Sequence, residues 1–156
     1  MSEHKIQIEW KRDSESFDYK SYTRDHTVAY GDSGSICASA APDFLGNKNC
    51  LNPEQAFVTS MASCHMLTFL ALASKKGFIV DRYADNAVAV LGRNDERKPA
   101  ITNVKLAPFV RFSGEKVPSQ EEYEKLHDQA HDLCFISNSV AQCVAVDVSP
   151  DMTAGQ

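Results

Sequence analysis

Two cysteines lie in settings that could support thiol chemistry. Cys64 is at the middle of a run of nineteen residues, 56–74, without Asp, Glu, Lys or Arg, and Cys134 lies in the later segment HDLCFISNS. The thiolate is the nucleophilic form of cysteine, and an ordinary thiol with a pKa of about 8.5 is only slightly ionised at neutral pH. A reactive thiol would therefore need a positive charge beside it. Free cysteine also fills apolar cores as a small hydrophobic side chain, and both residues are open to that interpretation.

Histidines provide a second set of candidate residues. His127, His131 and Cys134 follow the spacing i, i+4, i+7 on a predicted helix, so their side chains could share one face and hold a metal ion. Helical histidines are more often solvated or hydrogen-bonded, and neither a metal nor a cofactor is predicted. His65 follows Cys64 directly, but consecutive helical residues point about 100° apart, so it is not expected to be the base for that thiol.

Charge and cysteine content narrow the class of protein. The 156 residues are expected to form one domain, 1–156, and a net charge of −5 without a basic block argues against a nucleic-acid partner. The chain has five cysteines but no CxxC motif, and its amino terminus has no apolar signal segment. These features predict a cytoplasmic protein with one redox pair. Cys37, Cys50 and Cys143 are given no role beyond packing or exposure.

The uncharged run predicts a long helix around which the fold is built. Asn52 is a favourable N-cap, Pro53 suits the first helical position, and Gly77 is a typical helix stop. A helix that is apolar on every side is expected to be buried on every side. Its length would also suffice to cross a membrane. Polar side chains interrupt it, however, and we expect no membrane association; these are Thr59, Ser60, Ser63, His65, Thr68 and Ser74.

The flanking segments predict an α+β fold. A second helix is expected to begin at the capping box of Ser119 and Glu122. Its apolar stripe would consist of Tyr123, Leu126, Ala130 and Cys134. Alternating and apolar stretches predict strands at 5–11, 27–30, 35–39, 78–91, 100–112 and 143–148. This order is typical of α+β proteins, in which antiparallel sheets pack around one or two central helices.

Three motifs, in this order, resemble the OsmC/Ohr family, which comprises osmotically inducible protein C and the organic hydroperoxide resistance proteins. They are Asn52-Pro53-Glu54-Gln55, Ser63-Cys64-His65 and His131-Asp132-Leu133-Cys134-Phe135-Ile136-Ser137-Asn138-Ser139. The resemblance extends over nearly the whole chain, roughly residues 6–148. The segment TRDH differs from the glycine-rich arrangement of the Ohr branch, so the chain resembles the broader OsmC-like group more closely.

The resemblance implies an OsmC-like intertwined homodimer that acts as a thiol-dependent peroxidase in oxidative stress defence. Cys64 would be the peroxidatic residue and Cys134 the resolving residue, and the two would form a disulfide during turnover. Glu54 would hold an arginine beside the thiolate, with Arg24 preferred for this role and Arg12 as the alternative. The expected partners are an organic hydroperoxide substrate and a dithiol reductant.

The position of Glu54 limits how it can act. Ten residues separate it from Cys64, which corresponds to about 15 Å along a straight helix, so it cannot touch the thiol of its own helix. Either an arginine bridges the gap, or the carboxylate comes from the partner subunit, which is the arrangement we favour. Two other functions stay open: metal binding through His127, His131 and Cys134, and non-enzymatic binding on the same fold.

Overall fold

The computed structural model describes residues 2–154. Their backbone contacts divide the chain into two compact units, Met1–Ala56 and Phe57–Gln156. The boundary falls within the first turns of the long central helix. Each unit is described in turn.

The first unit is built on a three-stranded antiparallel sheet with strand order β1-β2-β3. Its strands are β1 (Ile6–Glu9), β2 (His26–Tyr30) and β3 (Gly34–Ala38), and a single 3-10 turn, Pro42–Phe44, follows them. β2 and β3 form a hairpin, in whose turn Gly31 takes a left-handed φ of 59°. Apolar side chains of this sheet, namely Ile6, Ile8 and Ile36, are exposed, as is Trp10 directly after β1.

The central helix, α1, spans Pro53–Lys75, as predicted. Asn52 Oδ1 accepts a hydrogen bond from the Gln55 N–H at 2.7 Å, and Gln55 Oε1 accepts one from the Asn52 N–H at 3.0 Å. These bonds satisfy amides that have no partner within the helix. Gly77, with a φ of 78°, follows its end. By length and composition alone α1 could cross a membrane, a property shared by core helices of soluble proteins.

The prediction that α1 is buried on every side is wrong for the single chain. Its buried residues recur every fourth position and form one stripe: Met61, His65, Phe69 and Ala73. On another side, Leu67 keeps 61% of its surface exposed. The second unit covers only the face from which this stripe projects, and apolar surface of α1 stays uncovered.

The second unit contains six strands in two three-stranded sheets, ordered β4-β7-β9 and β5-β6-β8. The strands are β4 (Ile79–Asp85), β5 (Val88–Arg93), β6 (Pro99–Leu106), β7 (Pro108–Ser113), β8 (Ala145–Val148) and β9 (Asp151–Ala154). The predicted strands 78–91 and 100–112 are thus each divided in two. Pro108 cannot donate to a strand ladder, and Asp85 Oδ1 accepts the Ala107 N–H at 2.8 Å. The first predicted strand therefore becomes β4 in one sheet and β5 in the other, and the second becomes β6 and β7 in the same way.

The sheets are mixed, whereas the sequence predicts antiparallel ones. β4–β7 and β5–β6 are antiparallel, but β8 runs parallel to β6 and β9 runs parallel to β7. Parallel neighbours require a crossover connection. The helices between β7 and β8 provide it, and β9 lies beyond the last predicted strand, 143–148.

Two helices follow β7. The first, α2 (Gln120–Asp132), begins at the predicted capping box, in which the Glu122 N–H donates to Ser119 Oγ and the Ser119 N–H donates to Glu122 Oε2. The second, α3 (Phe135–Val140), was not predicted. Cys134 is therefore not on α2 but at the N-cap of α3. The predicted stripe residues Tyr123, Leu126 and Ala130 are buried, and they pack in one cluster with Phe69, Ala73, Phe78, Val110 and Phe112.

Candidate active site

The structure brings Cys64 and Cys134 together. Cys64 projects from the middle of α1 and is partly exposed, while Cys134 is fully buried at the start of α3. The Cys134 side chain lies close enough to Cys64 to raise the pKa of its thiol, although 70 positions separate the two in sequence. Both are free thiols. One thiol is thus open to small molecules, and the other lies behind it.

The first turn of α3 directs backbone amides at both sulfur atoms. The backbone amides of Ile136 and Phe135 lie close enough to the Cys64 thiol to lower its pKa. The Ser137 N–H donates to Cys134 Sγ at 3.4 Å, so that Cys134 caps the helix with its own side chain. Amides in this position have no partner within the helix, and hydrogen bonds to a charged sulfur favour the thiolate.

Burial nevertheless raises the pKa of the Cys64 thiol above its ordinary value, and the neighbouring Cys134 raises it further. The amides of Ile136 and Phe135 act in the opposite direction and offset only part of this effect. No cation is among the groups that shift this pKa in the described part of the second unit. An efficient nucleophile at this position would therefore need an additional positive charge.

In the first unit, Arg24 is held by the loop that precedes β2. Its Nη1 donates to the Tyr22 carbonyl at 2.6 Å, and its Nη2 donates to the Tyr19 carbonyl. The guanidinium carbon also lies 4.1 Å from the centroid of the Tyr22 ring. Arg24 is thus well ordered by its own loop.

Glu54 and Arg12 make no ion pair with each other or with Arg24 within residues 2–154. One carboxylate oxygen of Glu54, Oε2, is buried and has no hydrogen-bond partner there. Arg12 Nη1 donates to the Glu15 carbonyl at 2.8 Å. The predicted pairing of Arg24 with Glu54 is therefore not formed within one chain, and a pairing across two subunits stays a prediction.

Arg24 also borders an apolar cavity of about 450 Å³ in the first unit. Three aromatic rings form one of its walls, with 5.7 Å between the ring centroids of Trp10 and Phe17 and 4.9 Å between those of Phe17 and Tyr22. The remaining lining residues are Ile8, His26, Ser39, Ala40 and Pro53. The composition of the cavity suits an apolar ligand.

A buried histidine pair joins α1 to α2. His65 Nε2 and His127 Nδ1 lie 2.9 Å apart, and their rings are nearly parallel, at 7°. Burial lowers the pKa of His65 to about 4 and that of His127 to about 3. Both imidazoles are therefore neutral at neutral pH. The pairing of neighbouring helices places them together, and spacing on one helix could not reveal it.

The metal stripe considered for His127, His131 and Cys134 is not formed. Because α2 ends at Asp132, Cys134 leaves the helix face on which the two histidines lie. His127 Nδ1 is engaged by His65 instead. Across the chain from residue 2 to residue 154, these three side chains do not converge closely enough to share an ion.

Cys37 and Cys50 form a disulfide, which corrects the expectation that they have no role beyond packing or exposure. Their Cα atoms are 5.0 Å apart and thirteen positions separate them. The loop between them contains no regular motif that predicts this pairing. An isolated parallel bridge between Ala38 and Leu51, each adjacent to one of the cysteines, brings the two together.

The fold thus brings two free cysteines close together, one on the long central helix and one at the start of α3. This arrangement in a mixed α+β fold is the basis for comparing the chain with known proteins. The family model for OsmC-like proteins matches residues 46–149, and the chain belongs to this family. This confirms the resemblance drawn from the Asn52-Pro53-Glu54, Cys64 and Cys134 motifs.

Individual relatives agree with this assignment. The chain is 42% identical to an OsmC-like protein of unknown function from Vibrio cholerae, with a TM-score of 0.92 over 97% of this chain and 100% of that one. It is 28% identical over 120 residues to an organic hydroperoxide resistance protein-like protein of Staphylococcus aureus, which covers 77% of this chain and 83% of the relative. The organic hydroperoxide resistance protein OhrB of Bacillus subtilis shares the fold, at 15% identity, with a TM-score of 0.65 over 96% and 98% of the two chains.

Proposed function

We propose that the protein is a thiol-dependent peroxidase that reduces organic hydroperoxides in oxidative stress defence. The proximity of Cys64 and Cys134 carries this proposal, because it brings a partly exposed thiol next to a buried one. Membership of the OsmC-like family and the names of the Staphylococcus and Bacillus relatives support it.

The reaction assigns a different role to each cysteine. The Cys64 thiolate attacks one peroxide oxygen, the O–O bond breaks, and the departing alkoxide takes up a proton and leaves as an alcohol. Cys64 is then a sulfenic acid. The Cys134 thiol attacks this sulfur, the new S–S bond forms, and the oxygen leaves as water. A dithiol reductant restores both thiols by two exchange steps and becomes a disulfide itself.

The two cysteines differ in exposure as these roles require. A hydroperoxide can meet Cys64 from solvent, whereas Cys134 is fully buried behind it. Apolar side chains, including Phe57, Met61 and Ile136, cluster around this part of α1. They favour a substrate with an organic tail over hydrogen peroxide.

Arg24 and Glu54 complete the proposed site. The raised pKa of Cys64 calls for a cation, and a guanidinium held by a carboxylate would supply one. The buried Glu54 Oε2, which has no partner in residues 2–154, is open to such a pairing. The homodimer belongs to the same proposal, since a second copy would cover the exposed apolar surface of α1. So does a cytoplasmic location, where dithiol reductants are abundant.

Peptide mapping under non-reducing conditions tests the proposed function. One equivalent of cumene hydroperoxide should create a new Cys64–Cys134 disulfide within one chain, in addition to Cys37–Cys50. With a dithiol present, the protein should consume tert-butyl hydroperoxide repeatedly. A dominant new link through Cys143, or no new disulfide at all, would contradict the proposal.

The raised pKa of Cys64 also favours a second candidate, a non-enzymatic binding protein on the same fold. Such a protein would bind apolar ligands and react with hydroperoxide only at the rate of an ordinary thiol. The rate of Cys64 oxidation by cumene hydroperoxide, compared with that of free cysteine at the same pH, separates the two functions.

A further inference from the structure

Three side chains with metal-binding atoms gather in the first unit. They are Asp25, just before β2, Cys37 on β3, and Cys50 in the loop before α1. One carboxylate oxygen and the two sulfur atoms all lie within 4.8 Å of one another. The proposed peroxidase reaction uses none of them.

Backbone hydrogen bonds hold the segments of the two cysteines side by side, in addition to the disulfide. The Leu51 N–H donates to the Cys37 carbonyl and the Ser39 N–H donates to the Leu51 carbonyl, both at 3.0 Å. The Cys50 N–H donates to the Asn47 carbonyl at 3.1 Å, which closes a turn around that cysteine. After reduction, these bonds would keep both thiols in place. The pair is thus preorganised as a dithiol.

The carboxylate is oriented by the same loop. Asn47 Nδ2 donates to Asp25 Oδ2 at 2.8 Å, and Asn47 is itself fixed because its N–H donates to Ser39 Oγ at 3.0 Å. Such supporting hydrogen bonds commonly orient metal ligands. A backbone bond also fixes the position of Asp25, since its N–H donates to Thr23 Oγ1 at 3.1 Å.

A cleft gives solvent access to this cluster. Its volume is about 360 Å³, and Asp25, His26 and Cys37 are among its lining residues. Lys11, the one lysine on its wall, is paired with Glu9 at 3.1 Å. A cation entering the cleft therefore meets a carboxylate and a sulfur, with the lysine charge partly balanced.

We propose that Asp25 and the reduced Cys37–Cys50 pair form a binding site for one thiophilic divalent cation, Zn²⁺. Two thiolates and one carboxylate supply three tetrahedral positions, and water takes the fourth. With zinc–sulfur distances of about 2.3 Å, the two sulfur atoms would lie about 3.8 Å apart, so they would have to separate from their bonded positions once the disulfide is reduced.

The site is controlled by the redox state of the pair. A dithiol reductant transfers two electrons to the S–S bond, which breaks, and the reductant becomes a cyclic disulfide. Two protons convert the sulfurs to thiols, and Zn²⁺ displaces these protons on binding. In the reverse exchange, the disulfide form of the reductant takes up the two electrons and becomes a dithiol again, the Cys37–Cys50 disulfide closes, and the metal is released. This site and the Cys64–Cys134 site can therefore be tested separately.

Cobalt titration of the full-length protein tests the site. The protein is reduced with a phosphine under anaerobic conditions and titrated with Co²⁺, whose thiolate complexes absorb in the near ultraviolet. We expect one equivalent to bind with a thiolate band that Zn²⁺ abolishes by displacement. The band should persist in Cys64→Ser, disappear in Cys50→Ser, and be absent from the unreduced protein.

Variants around the cluster distinguish a built site from a pair of free thiols. Asn47→Ala should weaken Co²⁺ binding about 10–100-fold, as expected for loss of a supporting bond, and Asp25→Asn should weaken it while the thiolate band remains. The control Asp43→Asn removes a carboxylate from the same loop and should leave the affinity unchanged. Absence of a thiolate band from the fully reduced wild-type protein, or an equal band in Cys50→Ser, overturns the proposal. Equal affinities for Asp25→Asn, Asn47→Ala and wild type do so as well.

Discussion

Cys64 and Cys134 share a contact but differ in their surroundings. Cys64 is partly exposed on α1 and faces two backbone amides of α3, whereas Cys134 is buried and caps α3 itself. Exposure decides which sulfur meets a peroxide from solvent. The buried sulfur can react only with a group that is already beside it.

Substitution of each cysteine should therefore have a different effect. Cys64→Ser should abolish peroxide turnover. Cys134→Ser should react once and stop at the sulfenic acid, because no thiol condenses with it. Mass spectrometry after trapping with a sulfenic-acid reagent would detect the modified Cys64.

Cys143→Ser is the matched control, since this thiol is free but exposed on another part of the chain. It should retain full turnover. If Cys134→Ser resisted oxidation while Cys64→Ser was oxidised, the two roles would be reversed.

The contact between α1 and α2 contains a polar pair in an otherwise apolar cluster. The rings of His65 and His127 lie next to Phe69, whose ring centroid is 4.3 Å from that of His127. Burial also raises the pKa of the neighbouring Tyr83 and Tyr123, so both phenols stay neutral. The nearby His131 lowers the pKa of His65 further. The cluster thus disfavours any positive charge on the pair.

This pair predicts a loss of stability in mild acid. The pKa of each histidine is lower in the folded state than the value of about 6.5 in the unfolded chain, so the unfolded state binds more protons below pH 6.5. Above pH 6.5 both histidines are neutral in the folded and the unfolded chain, and the folded state keeps its full stability. This stability is lost as the pH falls toward the folded-state pKa, which is about 4 for His65 and about 3 for His127. For His65 the difference corresponds to roughly 3 kcal/mol.

Urea unfolding between pH 7.5 and pH 4 measures this effect. The wild-type free energy of unfolding should decrease steadily over that range, and His127→Phe should reduce the slope. The control His26→Gln alters a histidine in the first unit, and its slope should match the wild type. An unchanged slope in His127→Phe would exclude the pair as its source.

The start of α2 depends on a reciprocal pair of hydrogen bonds. Ser119→Ala removes the acceptor of the Glu122 N–H and should lower the free energy of unfolding by about 1 kcal/mol. Gln120→Ala is the control, because it changes the adjacent exposed residue, whose side chain donates to the exposed Glu124. It should change the free energy of unfolding by less than about 0.5 kcal/mol. Thermal or urea denaturation would measure both; equal effects would contradict the capping role.

The single chain leaves much apolar surface uncovered. Leu67 on α1 and Ile6 and Ile8 on β1 are each at least 60% exposed. Surface of this kind is typical of an interface between subunits. The proposed homodimer would cover it, and would also allow Glu54 of one subunit to act beside Cys64 of the other.

Mixed dimers test that shared site. Cys64→Ser and Glu54→Ala subunits should each be inactive alone, but a heterodimer would have one site with both residues intact. Activity should therefore return in part after subunit exchange. Isotope-coded subunits and native mass spectrometry would establish the exchange. No recovery in confirmed heterodimers would show that the site lies within one chain.

Local patterns determined much of the fold and of the candidate site. Asn52, Pro53 and Gly77 specify where α1 begins and ends, and the Ser119–Glu122 capping box specifies the start of α2, because caps act on amides within a few residues. The motifs around Cys64 and Cys134 were sufficient to identify the family. These features depend on residue types at short separations, which the sequence displays directly.

Tertiary structure alone decided which distant residues meet. The division of two long strands between two sheets depends on Pro108 and on the Asp85 carboxylate, which reaches Ala107 from a different strand. The His65–His127 pair and the Cys37–Cys50 disulfide depend on how helices pack and how a loop returns. Such contacts are set by the course of the whole chain and leave no periodic signal in the residues that make them.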